Sequence, residues 1–199
     1  MSKGKIAVLC VFAILIVDQL SKFWIKTNMF LGQEFPVFGN WFIIHFTENN
    51  GMAFGFEFAG NYGKYVLSIF RIFAAIAIGW YIFHLVRKNA PVGVVIFMSF
   101  ILAGAVGNII DSAFYGLLFS DSYYQLAQFL PESGGYSSFL QGRVVDMLYF
   151  PIIQGHYPSW FPLWPNQEFV FFRPVFNIAD SAITTGVLCL LIFQRKYFK

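Results

Sequence analysis

Apolar side chains dominate four stretches of the chain, about residues 6–25, 65–86, 93–118 and 175–194, each broken by few charges. At about 1.5 Å of rise per residue, roughly 20 such residues cross the ~30 Å of bilayer hydrocarbon, so the pattern predicts four transmembrane helices. Between them the pattern changes. In "WFIIHFTENNGMAFGFEF" aromatic and β-branched residues flank an Asn-Asn-Gly turn signal, which predicts a β-hairpin or small sheet on the bilayer surface. The later interval is polar and Gly-rich over "SDSYYQLAQFLPESGGYSSFLQG", passes through "GRVVDMLYF", and ends in the Pro- and Trp-rich run "PIIQGHYPSWFPLWPNQEFVFFRP". It is long for a connection. Trp160, Trp164 and their aromatic neighbours read either as interfacial anchors or as a lid over a site.

Composition fixes the class. Of 199 residues, 58% are hydrophobic, 21% aromatic and only 12% charged, and the mean hydropathy is +0.63. This is the usage of a membrane protein, and the length leaves no room for a second large module. The first apolar stretch follows Lys3 and Lys5 as in a signal peptide, but it runs too long and shows no small-x-small cleavage site, so it is expected to remain as an anchor.

Charge sets the orientation. Basic residues without acids occupy the N-terminus (Lys3, Lys5), the "RKNAP" connection (Arg87, Lys88) and the C-terminus (Arg195, Lys196, Lys199). The positive-inside bias puts all three in the cytoplasm and the loops 26–64 and 119–174 outside. The expected fold is therefore an all-α polytopic membrane protein over 1–199, with four helices, a small extracytoplasmic sheet and a long extracytoplasmic loop. The net charge of +3 is explained by these helix ends and needs no nucleic acid. Cys10 and Cys189 both fall in the inner halves of their helices, where packing explains them better than a disulfide.

Topology then gathers acids at one depth. The first helix carries Asp18 and Lys22 at i and i+4 in its outer half, open to reading as a structural ion pair or as a substrate contact. The third runs outward and ends near Asn108 and Asp111, with Gly104 and Gly107 permitting close helix contact; Asp111 reads as a supporting hydrogen-bond residue. The fourth runs inward and carries Asn177 and Asp180 in its first two turns, while "GRVVDML" returns Asp146 to the membrane surface. Neither Asp146 nor Asp180 has a basic residue at helix-neighbour spacing, since Arg143 and Arg173 precede them in loop.

Two close carboxylates cannot both ionise cheaply, so one holds a proton while the other stays basic. That is the equipment of an aspartic protease: one acid activates water, and the other donates to the oxyanion and helps the nitrogen leave. It calls for no metal and no cofactor. His45, His84 and His156 are scattered, without zinc-site spacing. Lys22 with Ser112 or Ser181 would make a Ser/Lys dyad, but neither a G-x-S-x-G elbow nor S-x-x-K is present.

Taken together, the motifs resemble the lipoprotein signal peptidases, the type II signal peptidases of the bacterial inner membrane. "VDQLSK" is similar to that family's D-Q-x-x-K, "NNGMAFG" to N-x-G-A-A-F, "GAVGNIID" to G-G-A-x-G-N-x-x-D, "GRVVDML" to V-V-D-F, and "FNIADSAI" to F-N-x-A-D-x-x-I. The resemblance implies that Asp146 and Asp180 form the catalytic pair, with Asp18, Lys22, Asn49, Gly51, Asn108, Asp111 and Asn177 as the polar set around it. It implies cleavage of prolipoproteins before a cysteine bearing diacylglycerol, by a monomer in membrane lipid, with the lipid anchor holding the scissile bond at the outer surface. The sequence departs from the pattern at Met52, Ser112 and Met147, and in the stretches 119–141 and 150–174 that compact members lack. Ser112 stands where Arg often follows the helix-three Asp, and Arg143 is the expected substitute. A small proton-coupled transporter or channel is the competing reading, opposed by the absence of broken helices and inverted repeats. A structural membrane subunit is the third, and it leaves Asp146 and Asp180 unexplained.

Overall fold

Ser2 opens the first helix, its hydroxyl accepting the Lys5 amide at 3.3 Å, and α1 (Lys3–Asn28) follows. The computed structural model describes residues 1–50, 60–160, 162–171 and 174–198. Helix α2 (Gly60–Arg87) ends at the "RKNAP" turn, where Asn89 takes a left-handed φ of 55° and Pro91 stands just before the next helix. Helix α3 (Val92–Leu118) continues to the far side, with one turn, Asp111–Tyr115, wound as a π-helix. Helix α4 (Ile178–Phe193) is shorter, at 16 residues. Helices α1, α2 and α3 are long and apolar enough to cross a membrane, and α4 is a shorter apolar helix. Phe12, Leu20 and Trp24 on α1, Phe73 and Trp80 on α2, and Leu191 and Phe193 on α4 turn outward, as lipid-facing side chains do.

Small residues bring the helices together around α3. A Cβ at Gly104 would lie 2.1 Å from the Ala179 carbonyl oxygen of α4, and one at Gly107 would lie 2.7 Å from Asp18 Oδ2 of α1. Only glycine allows this approach. At the opposite end, Lys3 Nζ donates to Asn89 Oδ1 at 2.6 Å and to Ala90 O at 2.7 Å, and Gln194 lies beside Gly93. The N-terminus, the α2–α3 turn and the end of α4 therefore share one end of the bundle. An apolar core of Ala7, Ile82, Leu85, Ala90, Val94, Val95 and Leu190 fills that end.

At the other end lies an antiparallel sheet in the order β1 (Glu34–Phe38), β2 (Phe42–Asn49), β3 (Val144–Tyr149), β6 (Val175–Phe176). A separate hairpin pairs β4 (Ile153–His156) with β5 (Glu168–Phe171). The hairpin expected around Asn-Asn-Gly reaches into residues 51–59, outside the described residues. The observed turn is at Gly39–Trp41, where Gly39 has φ 51°, and β2 pairs with β1 on one side and β3 on the other. β1 is an edge strand, so the missing donor of Pro36 costs nothing there. Gly51 and the residues that would return the expected strand lie outside the described residues. The fourth helix starts at 178 rather than 175 because Val175 and Phe176 pair with Tyr149 and Leu148. Ile25, Met29, Phe46, Phe119, Val145 and Met147 pack under the sheet as a second core. Segment 119–141 closes it through the Ala127 amide to Lys26 O and the Tyr136 amide to Phe119 O, at 3.2 and 3.0 Å.

Candidate active site

Asn177 fixes the start of α4. Its backbone is extended, its Oδ1 accepts the Asp180 amide at 2.8 Å, and Asp180 Oδ2 accepts the Asn177 amide at 3.4 Å. This reciprocal cap pins Asp180 in the first turn, where the helix dipole favours a negative charge. Asp146 sits on β3 opposite Thr47 and is 3% exposed. Asn177 Nδ2 donates to its Oδ1 at 2.7 Å, and the Asn49 amide donates to its Oδ2. Asn108, at the end of α3, completes the link: its Nδ2 donates to Asp180 Oδ1 at 2.8 Å and its Oδ1 accepts Asn177 Nδ2 at 3.1 Å. Asp146 and Asp180 thus hang on one pair of asparagines.

Beneath them lies a fully buried charge cluster. Lys22 Nζ stands 2.9 Å from Asp18 Oδ2 and 2.8 Å from Asp111 Oδ2, and donates to Asn108 Oδ1 at 3.0 Å. Asp18 Oδ1 also accepts the Ala179 amide of α4 at 2.9 Å, while Gln19 Nε2 bridges to Asp111 Oδ1 at 2.9 Å. Each acid therefore has partners on other elements. Removing one member of such a buried set costs about 3–5 kcal/mol, because its partners are left charged and unpaired. The geometry gives Asp18, Lys22 and Asp111 the work of fastening α1, α3 and α4 together under the pair.

Burial, reinforced by the charge of Asp180, pushes the Asp146 carboxyl up from 3.8 to about 8, against the opposing pull of Lys22 and the amides of Asn177 and Asn49. Around neutral pH this acid holds a proton. The arrangement therefore presents a protonated acid on β3 linked through Asn177 and Asn108 to a second acid on α4.

Arg143 goes elsewhere. Its guanidinium donates to Glu48 Oε2 at 3.0 Å and to Asp121 Oδ2 at 3.3 Å, and lies over the Tyr136 and Tyr123 rings. Burial works against its charge, but Glu48 and Asp121 outweigh that and raise it above its ordinary value. It belongs to a second cluster in which Lys26 pairs with Glu48 and donates to Ser122 at 2.8 Å. Lys26, Glu48, Ser122, Gln19 and Tyr115, whose hydroxyl donates to Gln19 at 3.2 Å, were not singled out from the sequence. Lys26 continues the i, i+4 row of Asp18 and Lys22 and so was findable. Ser112, next to Asp111, donates its hydroxyl to Asn108 O at 3.0 Å within α3.

A helix bundle with outward apolar faces and a carboxylate-rich polar network at one end defines a polytopic membrane protein. The chain belongs to the signal peptidase (SPase) II family, a family of peptidases, whose model matches residues 10–195. It is 50% identical over 194 residues to a lipoprotein signal peptidase of Porphyromonas gingivalis, covering 96% of this chain and 83% of that one. A lipoprotein signal peptidase of Amoebophilus asiaticus is 38% identical over 183 residues, covering 90% of this chain and 73% of the relative. A solved structure described as a bacterial membrane enzyme is similar with a TM-score of 0.58 and 26% identity, covering 94% of this chain and 90% of that one. Another of the same description has a TM-score of 0.61. These relatives do not favour the transporter reading.

Proposed function

We propose that this peptidase is an aspartic endopeptidase that removes the signal peptide from prolipoproteins, cutting before a diacylglyceryl-modified cysteine, with Asp146 and Asp180 as the reacting pair. The observation that carries it is the asparagine bridge, Asp146 to Asn177 to Asn108 to Asp180, which supports reading the two acids as one unit. Asp180, nearer solvent, takes a proton from water as the oxygen attacks the scissile carbonyl, and Asp146 gives its proton to the developing oxyanion. On collapse the oxyanion proton returns to Asp146, the carbon–nitrogen bond breaks, and Asp180 passes its proton to the leaving nitrogen. Atoms balance with water as the only co-reactant.

The same reading has α1, α2, α3 and α4 as four membrane spans, both termini in the cytoplasm, and loops 26–64 and 119–174 on the outer side of the inner membrane. Support comes from the basic N-terminus, α2–α3 turn and C-terminal segment meeting at one end of the bundle, and the acids at the other. The stacked rings Phe42, Phe150 and Phe176, with exposed Phe38 and Trp41, suit a sheet resting on the interface where the lipid anchor arrives. One chain contributes every side chain of the network, so a monomer suffices. The test is cleavage by purified protein of a lipobox peptide with and without diacylglycerol on its cysteine. Cutting of the lipidated peptide alone is expected, and equal cutting of both would contradict a lipid-positioned site.

A further inference from the structure

Helix α2 is apolar along most of its length, yet its inward face is polar at the end nearest the acids. Lys64, Ser68 and Arg71 stand at i, i+4 and i+7, and the same row continues through Ala75, Ile82 and Leu85, which are buried. Lys64 and Ser68 are buried too. Lys64 Nζ donates to Gln141 O at 2.7 Å and to Asn50 Oδ1 at 3.1 Å, and Ser68 donates to Leu140 O at 3.2 Å. The neighbouring Gly142 amide bonds to Ser112 O of α3 at 2.8 Å, so this face of α2 is docked on the segment leading from Asp111 to Asp146. Arg71 is the next residue down the row, half-buried, where the attraction of Asp180, Asp111 and Asp146 works against the cost of burying its charge.

We infer that Arg71 is a positioning residue for the carboxylate pair: reaching in from α2, it supplies a second positive charge and holds the pair singly ionised. The inference rests on the reading of Asp146 and Asp180 as the reacting acids. Charge balance requires something of this kind. α1 contributes Asp18 and Lys22, α3 contributes Asp111, β3 Asp146 and α4 Asp180. Four acids carrying one shared proton give three negative charges, and Lys22 reduces the sum to two. Such an excess is costly in a water-poor site, and Arg71 halves it. Position 112 brings no cation from α3, since it is a serine bonded to its own helix. Lys64 is engaged with Asn50 and Gln141 further out.

The pH dependence of cleavage separates this role from a structural one. With purified protein and a lipidated lipobox peptide, Arg71→Gln is expected to move both limbs of the rate–pH profile to higher pH by about one unit, because a lost cation raises the proton affinity of neighbouring carboxylates. Turnover at neutral pH falls while KM changes little. Arg71→Lys, which keeps the charge, is expected to retain the wild-type limbs. Unmoved limbs in folded Arg71→Gln would overturn the inference. If that variant does not fold, Arg71→Lys decides: wild-type limbs support the role, displaced limbs reject it. Normal turnover in Asp146→Asn or Asp180→Asn would instead sink the reading of the pair itself.

Discussion

Asn177 donates its side-chain amide to Asp146 at 2.7 Å while its carbonyl oxygen holds the backbone amide of Asp180 at 2.8 Å. One neutral residue therefore sets both the hydrogen bonding of the buried acid and the first turn that carries the other. Asn177→Ala is expected to lower kcat on the order of 10²-fold, as small misplacements of reacting groups do. Stability should also fall, by about 1 kcal/mol for the cap and about 1–3 kcal/mol more for each buried partner left without a hydrogen bond. Cleavage kinetics beside thermal unfolding in detergent measure the two separately, and a stability loss with kcat unchanged would reduce Asn177 to a cap.

The raised Asp146 carboxyl makes activity and stability fall together on the alkaline side. Activity needs its proton, so the rate should fall through an alkaline limb near pH 8, reported as a property of the coupled pair. The folded state binds that proton more tightly than the unfolded chain does. The resulting stabilisation is complete below the ordinary carboxylate value of 3.8 and is lost as pH rises through about 8. Asp146→Asn should flatten this slope, and above pH 8 the inactive variant should melt higher than the parent. A parent protein whose melting temperature is constant from pH 4 to 9 would contradict it.

Much of this was legible in the sequence, and the failures have physical causes. Hydropathy marks a helix that faces lipid, so α1, α2 and α3 stand where the apolar runs predict, with ends extended by a few polar residues that caps and turns accommodate. Polar residues on three apolar runs were legible as well, and Asp18, Asn108, Asp111 and Asp180 meet in one hydrogen-bonded network. Strand pairing was less accessible: nothing in the sequence reading signalled the β1–β2 turn at 39–41, and Val175–Phe176 became strand because β3 offered an edge. Arg143, expected to replace the Arg usual after the helix-three Asp, instead pairs with Glu48 and Asp121, because the loop just before β3 leads its side chain to them. Arg71 carried a signal that the sequence reading did not use, a charge inside an apolar helix on the same row as Lys64 and Ser68.

Close approach at Gly104 is required by the Ala179 carbonyl, 2.1 Å from where a Cβ would be. The atom in the way is backbone and cannot swing aside. Gly104→Ala should push α4 away from α3, stretch the Asn108–Asp180 hydrogen bond, and cost about 1–3 kcal/mol as overpacked sites do. Gly79→Ala is the control, because its nearest neighbour is the tip of Leu102 at 3.9 Å. If both variants melt and cleave alike, the α3–α4 contact is softer than drawn.

The central claim is that Asp146 and Asp180 act as one unit on a single proton. Its most direct measurement is turnover of a lipidated lipobox peptide by Asp146→Asn, Asp180→Asn and the double variant, at matched amounts of folded enzyme, with Asp111→Asn alongside. Each single change should cost on the order of 10³-fold or more, and the double should be barely worse, because groups acting together are non-additive. Asp111→Asn should lose part of its activity or folded yield. Near-normal turnover by Asp146→Asn with none by Asp111→Asn would contradict the account and move the pair to Asp111 and Asp180.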